Sequence, residues 1–196
     1  LPIPDSRFPI PDSRLTIIMN NTSHKLASYV DSLRPIIYIN HFDFHAIDLL
    51  IKEIATTAEI YEYNDAGGHV DFDTKNSKSN FDLETFLSAF DNNESGESFL
   101  VLKDIHFYLD NPKVIALLKS IALKTLYKDN FYTTSFIVAS QLIIPPELDK
   151  FITVFDVPIP NLNQIRGIIK QFLQDLQFEM TDNVIEELSL SFKGLS

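Results

Sequence analysis

Ser98-Phe99-Leu100-Val101-Leu102-Lys103-Asp104-Ile105-His106 is the stretch on which the fold turns. Its apolar run has no polar alternation, which is the pattern of a strand buried on both faces. The run stops at Lys103-Asp104, so the strand emerges from the interior with a charged end. Strands of this kind belong to parallel sheets covered by helices on both sides, where functional residues gather at the carboxyl ends of the strands. Asp104 and His106 are therefore the first residues to consider for chemistry.

Working outward, the same alternation of strand and helix recurs. Pro35-Ile-Ile-Tyr-Ile39, Glu59-Ile-Tyr-Glu-Tyr63, Ser135-Phe-Ile-Val-Ala139 and Phe151-Ile-Thr-Val-Phe155 read as the other strands. Ile47, Leu50, Ile51, Ile54 and Ala58 fall at helical spacing, with Asp43 as the cap. Asp82 caps a helix carrying Phe86, Leu87 and Phe90 inward. Asn111-Pro112 starts a third helix, because proline at the first helical position gives up only an unpartnered N–H, and Ile115, Leu118 and Ala122 form its stripe. Residues 64–80, with Gly67-Gly68, read as a polar loop. Five strands joined by helices imply an α/β fold, a three-layer αβα unit with a five-stranded parallel sheet.

After residue 158 the pattern is helical. Ile165, Ile168, Ile169, Phe172, Leu173 and Leu176 form one stripe. Thr181 caps a second helix with Val184, Ile185 and Leu188 inward, and Gly194 is its expected stop. Three regions result: 1–18, 19–158 and 159–196. In the first, Pro2-Ile-Pro-Asp-Ser-Arg7 recurs as Pro9-Ile-Pro-Asp-Ser-Arg14, a short proline-rich repeat that is neither solenoid nor signal peptide and reads as a leader appended to the natural chain, with a native extended arm as the alternative. The third ends where more helix is expected, as a partial lid.

Composition narrows the function. Hydrophobic residues make up 45% of the 196, enough for a core, and the absence of cysteine removes disulfides and thiolate chemistry and favours a reducing, cytoplasmic setting. A net charge of -11 with no basic block argues against nucleic acid and anionic membranes as partners. No apolar run has the length of a membrane span.

His41 and His45 are four residues apart, and together with Asp104 and His106 they are the candidate ligands of a metal or small molecule at the strand ends. The ordinary alternative is capping and half-buried packing, since residues 41–45 span a strand-to-helix turn. Ser140 lacks a G-x-S-x-G setting for a nucleophile. Gly67-Gly68-His69 reads as a loop tip, and Asp71 and Asp73 lack EF-hand spacing. Tyr61, Tyr63, Phe72, Tyr127, Phe131 and Tyr132 are divided between core and partner contacts.

These phrases together resemble the AAA+ module. Phe99-Leu-Val-Leu-Lys-Asp104 is similar to its Walker B strand, with Lys103-Asp104 where the family usually ends in two acids. Ser135-Phe-Ile-Val-Ala-Ser140-Gln141 is similar to the sensor-1 strand. Ile144-Pro-Pro-Glu-Leu-Asp-Lys150, followed by residues 151–160, resembles the segment leading to the fifth strand. Met180 to Leu188 and Lys193-Gly-Leu195 resemble the lid's opening. More narrowly, the combination resembles the degenerate N-terminal AAA+-like domain of a cyanobacterial and plastid ATPase family, first described as hypothetical chloroplast open reading frames, in which an intact AAA+ module follows.

Two departures matter. Asn40-His-Phe-Asp-Phe-His45 stands where the G-x-x-x-x-G-K-[ST] loop belongs, and none of the five glycines precedes Lys-Ser or Lys-Thr. Asp149 and Lys150 stand where an arginine finger would, and lysine has no planar fork. The resemblance thus implies a non-catalytic domain, not an enzyme by itself, acting in assembly or regulation. Asp104, Ser140 and Gln141 would be vestigial, and no nucleotide, metal or other cofactor is expected here. ATP and Mg would belong to the downstream module, which would be a partner along with neighbouring subunits of a homo-oligomer, in cytoplasm or plastid stroma. The alternative is a small-ligand or metal-dependent enzyme using His41, His45, Asp104 and His106.

Overall fold

The computed structural model describes residues 15–92, 96–158, 161–178 and 180–193. By its internal contacts the chain forms two units, residues 22–157 and a second made of residues 1–21 with 158–196.

In the larger unit the strands are β1 (Ile36–Asn40), β2 (Glu59–Asn64), β3 (Gly68–Val70), β4 (Ser77–Ser79), β5 (Gly96–Lys103), β6 (Phe131–Ala139) and β7 (Ile152–Phe155). They form one sheet in the order β4-β3-β2-β5-β6-β1-β7. The five predicted strands are all present and run parallel. The helices are α1 (Leu15–Asp31), of which the residues from Thr22 onward belong to this unit, α2 (Phe44–Ile54), α3 (Leu83–Asp91) and α4 (Pro112–Tyr127). Successive strand residues point to opposite faces, and each face has its own core. Tyr38, Leu100, Leu102 and Ile137 pack with α3 and α4 on one side. Ile37, Ile39, Val101, Phe136 and Val138 pack with Leu26 of α1 and with α2 on the other. Both layers need every central strand residue to be apolar, which is why the strands lack alternation.

The helix signals in the sequence act as expected at two starts. Ala46 N–H donates to Asp43 Oδ1 (3.1 Å) at the head of α2, and Thr85 N–H donates to Asp82 Oδ1 (2.7 Å) at the head of α3.

In this unit two expectations need correction. Residues 64–80 are not a loop: β3 and β4 form an antiparallel extension on β2, giving seven strands. Both are three residues long, and their sequences (Gly-His-Val and Ser-Lys-Ser) carry no apolar period, so only pairing with the β2 edge defines them. Gly68 is required there, since it has φ +64° and a Cβ would lie 2.6 Å from the Ser79 carbonyl. The α4 stripe is rotated, with Val114, Leu117 and Ile121 joining Leu118 and Ala122, while Ile115 is only partly buried. α1 begins at Leu15, inside the stretch read as leader; the repeat itself lies outside the described residues. Among the aromatics, Tyr63, Phe72 and Phe131 are core, while Tyr127 and Tyr132 are exposed.

The smaller unit holds α5 (Leu162–Asp175) and α6 (Asp182–Lys193). Leu173 and Ile185 are buried, whereas Phe172, Leu176 and Val184, expected inward, are exposed. Arg166 pairs with Glu186, and Lys170 Nζ lies 2.7 Å from Asp182 Oδ1. Gly194 lies outside the described residues. Among the described residues no helix is long and apolar enough to cross a membrane.

Candidate functional site

The site sits along the carboxyl ends of the parallel strands, and two neighbouring residues of β5 divide it. Lys103 shares a sheet face with Phe99 and Val101 and turns inward; its side chain is only 8% exposed. Its ammonium lies 2.8 Å from Asp48 Oδ2 on α2 and 3.2 Å from Glu62 Oε1 on β2. Lys75, from the β3–β4 turn, reaches the same two carboxylates, with Asp48 Oδ2 at 2.8 Å. Burial works to lower the Lys75 ammonium, but its bonds to Asp48 and Glu62 outweigh that and raise its pKa. Two cations and two anions thus close a compact network. Charges removed from water require such partners, because an isolated buried ion costs several kcal/mol.

Asp104 leaves the strand in the other direction. Its backbone is left-handed (φ 54°, ψ 25°), a conformation that costs most residues energy but that Asp tolerates. Its N–H donates to the Val138 carbonyl (2.9 Å), holding the turn against β6. A 3-10 turn, Ile105–Tyr108, follows. Here Asp104, His106, Phe107 and Tyr108 meet Ser140 and Gln141 from the end of β6 and Asp65 from the end of β2, around a cleft of about 540 Å³. The Tyr108 hydroxyl donates to Asp65 Oδ1, and that bond raises the phenol's pKa. Tyr63, buried below and facing Asp65, is pushed up to about 12, chiefly by desolvation. The Tyr38 hydroxyl donates to the Gln141 carbonyl (2.6 Å) and secures the β6 side.

The turn after β1 does not line this cleft. His41 N–H donates to the Ala139 carbonyl (3.0 Å), and its Nδ1 accepts from Asp43 N–H (3.0 Å). Its ring stacks on Phe42, centroids 5.0 Å apart, and Phe42 itself is 67% exposed. His45 is on α2. Thus the structure brings together Asp104, His106, Ser140 and Gln141 and leaves His41 and His45 apart from them. Among the described residues no group of three or more His, Asp or Glu side chains is gathered to hold a metal ion. The four-ligand crevice read from the sequence does not form, because helical spacing fails across the β1–α2 turn.

The α2 N-terminus, where backbone N–H groups would meet phosphate, is taken by the Asp43 carboxylate. The lysine at the end of β5 is held by Asp48 and Glu62. Sequence reasoning missed Asp48, Glu62, Lys75, Asp65, Phe107 and Tyr108. The available signal was charge inside apolar stripes: Asp48 sits between Ile47 and Leu50, and Lys103 continues the period of Phe99 and Val101.

Residues 22–157 match the family model of the SpoVK-like AAA ATPase, N-terminal domain. The chain is 26% identical over 166 residues to the AAA domain-containing protein ycf46 of Guillardia theta, covering 83% of this chain and 32% of that protein. It is 26% identical over 183 residues to the ycf46 protein of Pyropia yezoensis, covering 90% and 36%. The chain therefore spans about a third of the length of these relatives. Among solved structures, a Thermotoga maritima RuvB mutant aligns with a TM-score of 0.53 at 14% identity, over 92% of this chain and 59% of that one. A chain of the Escherichia coli MS115-1 HORMA:CdnC:Trip13 complex aligns with 0.56 at 11% identity, over 92% and 76%. At those identities the structures speak for the fold alone. The narrower resemblance seen in the sequence is met by the same relatives, and the chain belongs to the SpoVK-like AAA ATPase N-terminal domain family.

Proposed function

We propose that this chain is a non-catalytic AAA+-like module that acts through protein contacts in the assembly or regulation of a larger AAA+ ATPase. The observation that carries this reading is the state of the β1–α2 turn. A carboxylate, Asp43, caps the helix where a phosphate would have to sit, and like charges there repel. No lysine stands in that turn, and Lys103 is committed to Asp48 and Glu62. Magnesium and ATP do not fit these residues, so no catalytic step is assigned to them. Asp104, Ser140 and Gln141 keep the positions of a nucleotide-sensing edge without that role.

In this reading ATP and Mg bind a further AAA+ module of the parent protein. That module and neighbouring subunits are the partners, the parent is a homo-oligomer, and residues 159–196 serve as the start of a helical lid. Its setting is the cytoplasm or a plastid stroma. The test is a calorimetric titration of this chain with Mg-ATP and Mg-ADP. Absence of saturable heat supports the module; saturable binding of either nucleotide overturns it. The metal-dependent enzyme has no comparable support, since its four ligands do not converge.

A further inference from the structure

We infer that the cleft beside Asp104 is a docking site for an arginine side chain presented by a basic segment of a partner protein. This names the chemistry of the protein contact proposed above and rests on that reading.

Four observations carry it. First, the cleft carries two carboxylates, Asp65 and Asp104, and among the described residues no lysine or arginine lines it. Asp104 is 46% exposed and has no capping bond from its side chain, so one carboxylate is available, not spent on the fold. Second, His106 lines the cleft with its side chain 3% exposed, and its Nδ1 is buried without a hydrogen-bond partner. Nδ1 and Asp104 Oδ1 are 3.8 Å apart, beyond a direct hydrogen bond. A polar group arriving at Asp104 Oδ1 therefore meets this edge with several donors when it carries more than one N–H in a plane. Guanidinium does so in a fixed plane, whereas ammonium does not. Third, the Phe107 ring lies tilted against His106 with centroids 4.0 Å apart, yet it remains 73% exposed. An uncovered aromatic face beside carboxylates is the surface on which a guanidinium stacks. Fourth, the left-handed Asp104 backbone ends the strand at this residue and starts the 3-10 turn whose side chains line the cleft.

The occupant follows from charge. The cleft presents two carboxylates on a chain of net charge -11, so a basic segment is attracted to it. Phe42, Leu142 and Ile143 are exposed on turns at the same sheet edge and offer apolar contact to the residues flanking the arginine.

The experiment is an NMR titration of this chain with acetyl-glycyl-arginyl-glycinamide, its lysine counterpart and its citrulline counterpart, which keeps the shape and loses the charge. The expected result is saturable shifts at Asp65, Asp104, His106 and Phe107 with arginine, weaker ones with lysine and none with citrulline. Asp104→Asn, which tolerates the left-handed backbone, should weaken arginine binding roughly tenfold, the loss of one charge-assisted hydrogen bond. Asp65→Asn provides a second variant whose backbone is not strained. Equal shifts with citrulline, or shifts away from the cleft, overturn the site. Sedimentation showing self-association that Asp104→Asn abolishes would make the occupant a second copy and overturn the partner. If neither nucleotide nor arginine peptide binds, the docking site fails while the non-catalytic reading stands; if nucleotide binds, that reading fails first.

Discussion

Lys103 and Asp104 are adjacent in sequence and opposite in circumstance. Lys103 points into the face covered by α2 and is matched by Asp48, Glu62 and Lys75, so that its charge is answered inside the protein. Asp104 points towards a cleft where Asp65 adds a second negative charge and, among the described residues, no cation lines the wall. The difference teaches how one strand end serves two ends. Charge on the buried face is acceptable only when neutralised, and so it binds helix to sheet. Charge on the open face is left unneutralised, at a cost in backbone strain, and is free to recruit something else.

The largest expected effect comes from breaking the buried side. Glu62→Ala leaves the buried Lys103 sharing Asp48 with the half-exposed Lys75, and should lower unfolding free energy by about 3 kcal/mol in a urea titration. The paired change Lys103→Met with Asp48→Leu removes one charge of each sign and keeps Glu62 with Lys75. It should cost far less than the sum of the single changes. A double variant as unstable as the sum would mean that the network is not a unit.

Next comes the α2 cap between the two regions. Asp43→Ala removes the acceptor for Ala46 N–H and should cost about 1 kcal/mol in the same measurement. On the proposed reading the variant binds no nucleotide either, because the turn still has no lysine. On the open side the sign reverses: Asp104→Gly relieves the left-handed backbone and should raise stability by about 0.5–1 kcal/mol. A loss there would show that the Asp104 side chain supports the fold after all.

The smallest effect is on titration. Tyr108 is raised by its bond to Asp65, so Asp65→Asn should bring its ultraviolet titration back towards the ordinary tyrosine value near 10. Tyr63, at about 12, stays protonated in the fold after the unfolded chain has ionised. Its contribution is therefore complete below about pH 10 and is lost as pH rises towards 12. Tyr63→Phe should flatten that decline in alkaline unfolding curves.

Much of this was legible in the residues. Unbroken apolar runs such as Phe99–Leu102 and Ile36–Ile39 can only be strands covered on both faces, and Asp43, Asp82 and Asn111-Pro112 mark helix starts through local hydrogen bonds that need no distant partner. The class, the five parallel strands and the lack of a phosphate loop followed from the sequence by itself, because each depends on periodicity or on a contiguous motif. Only the tertiary structure decided what Lys103 meets, that β3 and β4 extend the sheet, that α4 is rotated about its axis, and that Asp65 joins Asp104 while His41 does not. Those outcomes depend on which strand ends become neighbours, and the order β2-β5-β6-β1 brings together residues 65, 104 and 140 that no spacing along the chain connects.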